Sequence, residues 1–277
     1  TSPRIGVAIA VHNSWGVLES CLECLASSNQ EADLFIVVFD DGSTDETQAH
    51  LKARYPDVQI VQGDGSFWWT GGTNRAVEVC LNAGCDYILL LNPDVFVQQD
   101  TIGRLLEASR ANDDAVCAPV VADRDDPERI IWAGCQWGQL APGLPVWTSR
   151  YLHRRGTSIN ELPHAPYVTS EVHGRGVLFP ASVFQTFGLH DDRHLPHAGG
   201  DTEYSLHIRQ GGVPLLMVPE AIVTLETRTS ALGMAGCQDD DWRIDEAMSR
   251  YWDHLTDRRH GSQLSVWWTI ARRHTPW

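Results

Sequence analysis

YILLLNPDV, residues 87–95, runs apolar from Tyr87 to Leu91 and then turns abruptly polar at Asn92, Pro93 and Asp94. The run is short, carries the β-branched Ile88 and is stopped by proline, which predicts a strand buried on both faces, as in a parallel sheet. A carboxylate beside so dry a core is costly unless it is paired or holds a metal. The plainer reading is a turn, since Asn-Pro-Asp suits turns and Asp often caps the next helix.

The flanking sequence repeats the pattern. RIGVAIAV (4–11) predicts a first strand, and Ser14 a cap for a helix running to about Ser28. LFIVVF (34–39) is a second strand that ends in DDGSTDET, where Thr44 would cap a helix through Arg54 with Glu46 and Thr47 in its first turn. VQIV (58–61) is a third strand, and GGTNRAVEVCLNAG (71–84) a glycine-opened helix closed by Gly84. Alternating strands and helices specify a doubly wound parallel sheet, whose ligand sits beyond the carboxyl ends of the strands. That rule places His12-Asn13, Asp40–Ser43 and Asn92–Asp94 on one rim. Three polar clusters at three strand ends are harder to explain by turn chemistry than one.

Further along, a helix over 101–110, a strand over 115–121 and a solvated turn at DRDDPER (123–129) are expected. Loops over 138–167, a strand then a helix in GRGVLFPASVF (174–184), a helix from Asp201 to about Gln210 and a strand–turn–strand in PLLMVPEAIVTL (214–225) follow. No repeat, low-complexity segment or clear interdomain linker stands out.

The chain has 277 residues, 43% hydrophobic and 21% charged, enough for one large α/β domain or two small ones. Its net charge of −15 argues against nucleic acid as a partner, because a phosphate backbone prefers a basic face. No apolar run approaches membrane-spanning length, and TSPRIGVAIAVHNSW lacks a signal-peptide layout. Seven cysteines are scattered through apolar segments; Cys21 and Cys24 form a Cys-x-x-Cys with no second pair at zinc spacing. Buried free thiols in a reducing cytoplasm are the expectation. Tryptophan is abundant, and it suits either the faces of sugar rings or a core.

The first strand, DDGSTDET, LLLNPDV, GRGVLFPASVF and GGDTEYSLHIRQGG, in that order, resemble family 2 glycosyltransferases of GT-A fold. FWWTGGTNRAV and the LNPDV form of the metal motif point to the rhamnosyltransferase-like bacterial branch; the resemblance covers about residues 4–226. It implies an α/β GT-A fold: a doubly wound, mostly parallel, Rossmann-like sheet with an acceptor-side extension and C-terminal helices. It divides the chain into a nucleotide-sugar-binding half (1–100), an acceptor-binding and catalytic half of the same domain (101–235) and a C-terminal helical segment (236–277). It also implies a chemistry. Mg²⁺ or Mn²⁺ neutralises the diphosphate of a dTDP- or UDP-linked sugar, and a carboxylate deprotonates an acceptor hydroxyl that displaces it in one inverting step. The branch implies dTDP-rhamnose first and a UDP-hexose next. The implied acceptor is a saccharide or lipid-linked saccharide of a surface polysaccharide or glycolipid, met in the cytoplasm or at the inner face of the cell membrane.

Residue by residue, Asp94 matches the metal-holding acid, while Asn92 replaces the first acid of that motif and removes a charge; Pro93 lies between them. Asp41, followed by Gly42, matches the acid that binds ribose or the nucleobase edge. A turn-and-cap role is the alternative for this segment and is preferred for Asp45. Val11, His12 and Asn13 end the first strand, and His12 stands where the family often packs an aromatic on the base; stacking and a structural role both stay open. Gly71, Gly72, Asn74 and Arg75 open a helix on the same rim, with Arg75 pairing either a phosphate or a surface acid. Trp68 and Trp69 pack on the donor sugar or into the core. Gly174 and Gly176, around Arg175, match the glycine-rich strand of the donor-sugar pocket. In Gly200-Asp201, Asp201 matches the catalytic base; the alternative is an N-cap of helix 201–210, and both can hold, since a cap also keeps the carboxylate ionised. Glu203 tunes, positions or meets the acceptor, and Arg209 is structural or acceptor-facing.

One departure is that many relatives carry a metal-binding His after the Pro-Glu-Ala strand, where this chain has Thr224, Glu226 and Thr227. His190, His194 and His197 are candidates to reach the metal or acceptor instead, and by ligand type their loop would also suit zinc. DDDWRIDEAMSRYWDHLTDRRH (239–260) reads as a charged helix. LSVWWTIARRHTPW (264–277) suits a membrane surface, a partner domain or packing on the core, and its abrupt end fits a fragment of a longer protein. Two rivals stand. A sugar nucleotidyltransferase would want a basic, glycine-rich loop where AVHNSWG stands. A catalytically inactive glycan- or nucleotide-sugar-binding module is opposed by the joint presence of Asp94 and Asp201.

Overall fold

A computed structural model of the chain describes residues 2–28, 32–139, 147–225 and 264–274. Strands β1 (Arg4–Val11), β2 (Asp33–Asp40), β3 (Gln59–Gln62) and β4 (Tyr87–Leu91) alternate with helices α1 (Trp15–Ser27), α2 (Thr47–Arg54) and α3 (Trp68–Asn82). Every residue of β4 is buried, as its unbroken apolar run requires. β1 pairs in parallel with β2, Val11 opposite Asp40, and with β4, Ala8 opposite Leu90. The three strands therefore finish on one rim.

The chain continues through β5 (Val95–Val97), α4 (Thr101–Ala111), β6 (Val116–Asp123), β7 (Ile130–Trp132), β8 (Cys135–Gln139) and β9 (Trp147–Tyr151). β10 (Tyr167–Val168), β11 (Arg175–Pro180), α5 (Ala181–Phe187), α6 (Gly200–Gln210), β12 (Leu215–Leu225) and α7 (Leu264–His274) follow. The main sheet runs β10-β12-β6-β11-β4-β1-β2-β3. β11 enters antiparallel between β4 and β6, and β12 lies parallel to β6. The sheet is thus mixed but mostly parallel, and it is continuous across both halves of the chain.

Several local expectations shift, each for a tertiary reason. α2 starts at Thr47 rather than near Thr44, because Asn13 Oδ1 accepts the N–H groups of Thr44 (2.7 Å) and Asp45 (3.2 Å). α3 starts at Trp68, so Gly71 and Gly72 lie inside it. A Cβ at Gly72 would stand 2.9 Å from Phe39 and 3.1 Å from Ala10, so this glycine lets the helix pack on the sheet. Ser14 precedes α1, but its hydroxyl donates to the His12 carbonyl (2.8 Å) instead of capping. β12 is one strand with a bulge between Val218 and Ile222, not two strands. Part of the expected loop region is the β8–β9 hairpin.

The described cysteines are free; Cys21, Cys80, Cys85, Cys117 and Cys135 are buried and Cys24 half-buried. Among the described residues, no helix is long and apolar enough to cross a membrane. One face of α7 packs on the protein, Val266 and Ile270 being buried against Leu195, while Trp268 stays exposed. The expected helix over 239–260, and Glu226 and Thr227, lie outside the described residues.

Candidate active site

The ends of β1, β2 and β4 surround a cavity of about 820 Å³. Val11, His12 and Asn13 come from β1, Asp41 from β2 and Asn92, Pro93 and Asp94 from β4; Trp68 and Trp69 of α3 complete that wall. The start of α1 (Ser14 to Val17), Gly65, Ala10 and Asp45, which the sequence did not assign to the site, line it as well, as does His197, left among three candidates. The rule of strand carboxyl ends could have found the first, since the segment after β1 must cross the rim.

Asp41 organises this wall. Its Oδ1 accepts the Gly65 N–H (2.9 Å), and its Oδ2 accepts those of Phe67 (3.1 Å) and Trp68 (2.8 Å). The last two are orphan donors at the start of α3, so a residue of another strand caps that helix. Trp68 is held at φ +57° and stays 41% exposed, edge-on to the His197 ring. Any bond from Asp41 to a base edge has to be made in addition to these three. The Asp41 carbonyl accepts from His12 Nδ1 (2.7 Å), which fixes that tautomer and leaves the His12 ring exposed at the cavity.

Trp69 Nε1 donates to Asn92 Oδ1 (2.8 Å), and a Cβ at Gly174 would fall 2.4 Å from the Trp69 ring. Gly174 is therefore needed for close packing against the Asn92 motif. Gly176, at φ +91°, forms the bulge by which β11 leaves its register with β4.

The donor chemistry here can be tested against a divalent ion. Asp94 is a hard oxygen ligand on the cavity wall, whereas the Asn92 oxygen already accepts from Trp69. Among the described residues, no group of three or more His, Cys, Asp or Glu side chains could hold a metal. The residues fit Mg²⁺ or Mn²⁺ bound through one carboxylate plus phosphate and water oxygens, and they do not fit a preformed zinc cage.

Asp201 sits in the first turn of α6, but Gly199, at φ +79°, is the N-cap. The capping alternative for Asp201 is corrected accordingly: among the described residues, its carboxylate accepts only the Thr202 N–H (2.9 Å). A Cβ at Gly200 would meet Thr70 Oγ1 at 2.9 Å, so α6 abuts the start of α3.

Residues 6–167 match the profile of Glycosyl transferase family 2. The chain belongs to that family. This glycosyltransferase is 25% identical over 213 residues to an N-acetylglucosaminyl-diphospho-decaprenol L-rhamnosyltransferase from Mycobacterium tuberculosis, covering 70% of this chain and 66% of the relative. Its fold is similar to that of GalNAc-T7 with UDP, GalNAc and Mn²⁺ (TM-score 0.63, 17% identity, 82% of this chain and 44% of that one). It is similar also to the mannosyltransferase PcManGT from Pyrobaculum calidifontis with GDP-Man and Mn²⁺ (TM-score 0.58, 16% identity, 98% and 69%). These likenesses establish the GT-A fold.

Other expected site residues of the glycosyltransferase go elsewhere. Arg75 is exposed and donates to Glu78 (2.7 Å), so it takes the surface-pair role. Asn74 is buried and clasps the backbone of His190 at 2.8 and 3.1 Å. His190 is buried against Tyr204, with ring centroids 4.3 Å apart, and burial pushes its pKa down to about 4. His194 pairs with Asp191 (2.8 Å). Glu203 faces α7 rather than an acceptor: its Oε1 accepts from Arg273 (3.0 Å) and lies 3.1 Å from His274 Nε2.

Proposed function

We propose that this glycosyltransferase moves a sugar from a nucleoside diphosphate donor to the hydroxyl of a saccharide or lipid-linked saccharide, with inversion. One observation carries the reading: Asp94 stands on the rim cavity while Asp201, at the start of α6, is not consumed as a helix cap. Val11 to Asn13 and Asp41 hold the nucleoside, Trp68 and Trp69 flank the sugar, and Asp94 holds Mg²⁺ or Mn²⁺. When bound, that ion neutralises diphosphate charge. Asp201 takes the acceptor proton, the freed oxygen attacks the anomeric carbon, and the electron pair of the broken bond leaves with the nucleoside diphosphate.

Residues 1–100 form the donor half, 101–235 the acceptor half and 236–277 the C-terminal segment. Likeness to the mycobacterial L-rhamnosyltransferase supports rhamnose as the sugar and a lipid-linked acceptor; the donor we propose is dTDP-rhamnose, a UDP-hexose being next, with the acceptor met at the inner face of the membrane. The solved relatives, with their nucleotides and Mn²⁺, support the metal.

The test follows nucleoside diphosphate release from a panel of nucleotide sugars, with saccharide acceptors and Mg²⁺ or Mn²⁺, for the wild type and Asp201→Asn. Metal-dependent release from one donor, reduced about 100-fold or more in the variant, is expected. Undiminished release in Asp201→Asn would remove the base assignment.

A further inference from the structure

Arg175 is the first residue of β11, opposite Leu91, the residue that precedes the Asn92-Pro93-Asp94 motif. The bulge at Gly176 follows it at once, and Gly174 before it packs so closely that a Cβ there would stand 2.4 Å from Trp69 and 3.4 Å from Asn92 Oδ1. The residue thus lies at the seam between the metal motif and the acceptor half. It is half-buried, and burial works against its charge while Asp201, Asp94, Tyr151 and Glu171 act to keep it. None of these is a partner in contact: among the described residues, no carboxylate lies within 4.0 Å of the guanidinium and no hydrogen bond from it is made. Elsewhere the same protein pairs its arginines closely, Arg273 with Asp191 and Glu203 being an example.

A partly desolvated cation with no contact partner is costly unless a ligand supplies the anion. A guanidinium stays charged and offers a planar fork of donors that matches phosphate. The surrounding groups are acids already, and Asn92 leaves the metal motif one charge short of two carboxylates. Resting on the reading above, we propose that Arg175 binds the diphosphate of the donor. As the bond from the anomeric carbon to the β-phosphate oxygen breaks, its electron pair goes to that oxygen. Arg175 takes up the added negative charge, while the acceptor oxygen forms the new bond and its proton passes to Asp201. Arg175 is then a catalytic residue that shares leaving-group stabilisation with the metal.

The test measures Kd for the diphosphates and monophosphates of uridine and thymidine, in chelator and in Mn²⁺, for the wild type, Arg175→Lys and Arg175→Ala. The wild type should prefer diphosphate to monophosphate even in chelator. Arg175→Ala should lose about tenfold or more of that preference, with monophosphate binding unchanged and Arg175→Lys between the two. An unchanged diphosphate-to-monophosphate ratio in both variants overturns the proposal. So does a raised acceptor KM with unaltered nucleotide binding, which would assign Arg175 to the acceptor. If the wild type binds neither nucleotide in Mn²⁺, the nucleotide-sugar reading itself fails, and this result is distinct from a failure confined to the variants.

Discussion

Arg273 Nη1 donates to Glu203 Oε1 at 3.0 Å, tying α7 to the turn that carries Asp201. Its Nη2 donates to Asp191 Oδ2 (2.6 Å), so one guanidinium fastens both ends of the loop that includes His197 and Gly199. A Cβ at Gly199 would stand 2.5 Å from Val266, which shows how closely α7 seats there. Burial alone would raise the Glu203 pKa, but the bonds from His274 and Arg273 outweigh it and hold the group below its usual value.

Arg273→Ala strips Asp191 of that partner and leaves Glu203 with His274. Removing one partner of a buried acceptor costs about 1–3 kcal/mol, and the partial exposure of Arg273 favours the lower end. The expected result is a lower Tm and a fall in kcat of roughly tenfold, with nucleotide Kd changed less, because of that loop only His197 lines the cavity while the rest of the lining comes mainly from the ends of β1, β2 and β4, the start of α1 and the start of α3. Because the Glu203 and Asp191 pKa values are depressed, their contribution is present above the ordinary carboxylate range and is lost as pH falls through the depressed values. Melts of wild type and variant should therefore begin to converge below about pH 4.5 and meet only below the depressed values. An unaltered kcat would sever α7 from catalysis.

Asp41→Asn probes the opposite wall. The amide keeps one acceptor oxygen but turns an NH₂ toward backbone N–H groups that the carboxylate had satisfied at 2.8–3.1 Å. At least one of these part-buried donors is left facing the NH₂, a loss of about 1 kcal/mol. Trp68, held at φ +57°, loses the bond that offsets its backbone strain. Nucleotide affinity should drop together with stability. A variant with wild-type Tm and tenfold weaker binding would instead point to a direct contact between Asp41 and the nucleoside.

The rim was legible because its signals are local. An apolar run ended by Asn92-Pro93-Asp94 and the same strand-then-polar switch at His12 and Asp40 need no partner to be read. What escaped depends on distant acceptors. α3 begins at Trp68 because Asp41, a residue of another strand, caps it. The capping alternative for Asp201 stands until Gly199 is seen to occupy that place in a left-handed conformation. Glu203 reads as tuning, positioning or meeting the acceptor until α7, some 70 residues later, is seen to pair with it. The antiparallel entry of β11 between β4 and β6 has no local signature at all, since pairing order is set by the whole sheet.

Asn92→Asp should restore a second carboxylate at the metal motif. The new group can still accept from Trp69 Nε1, so packing against Gly174 is retained. A second anion close to a dication strengthens binding even at high effective dielectric. Mn²⁺ affinity without nucleotide, read by paramagnetic resonance, should rise by about tenfold or more, while affinity in the presence of nucleoside diphosphate rises less. Unchanged Mn²⁺ binding would mean that position 92 does not face the ion.

His190 gives a pH dependence of its own. Its ring is enclosed by Trp69, Phe184 and Tyr204, and burial lowers its pKa to about 4 from an ordinary value of 6.5, against the opposing pull of Asp201, Glu203 and Asp192. Between those values the unfolded chain binds a proton that the native state excludes. Stability therefore falls as pH drops from about 6.5 to about 4, by roughly 3 kcal/mol in all. His190→Phe removes the titrating group and keeps the two bonds between Asn74 and the backbone of residue 190. From pH 7 to 5 the wild-type Tm should fall by roughly 5 °C more than that of the variant. Parallel melting curves for the two proteins across that interval would show that His190 titrates normally and is not enclosed as described.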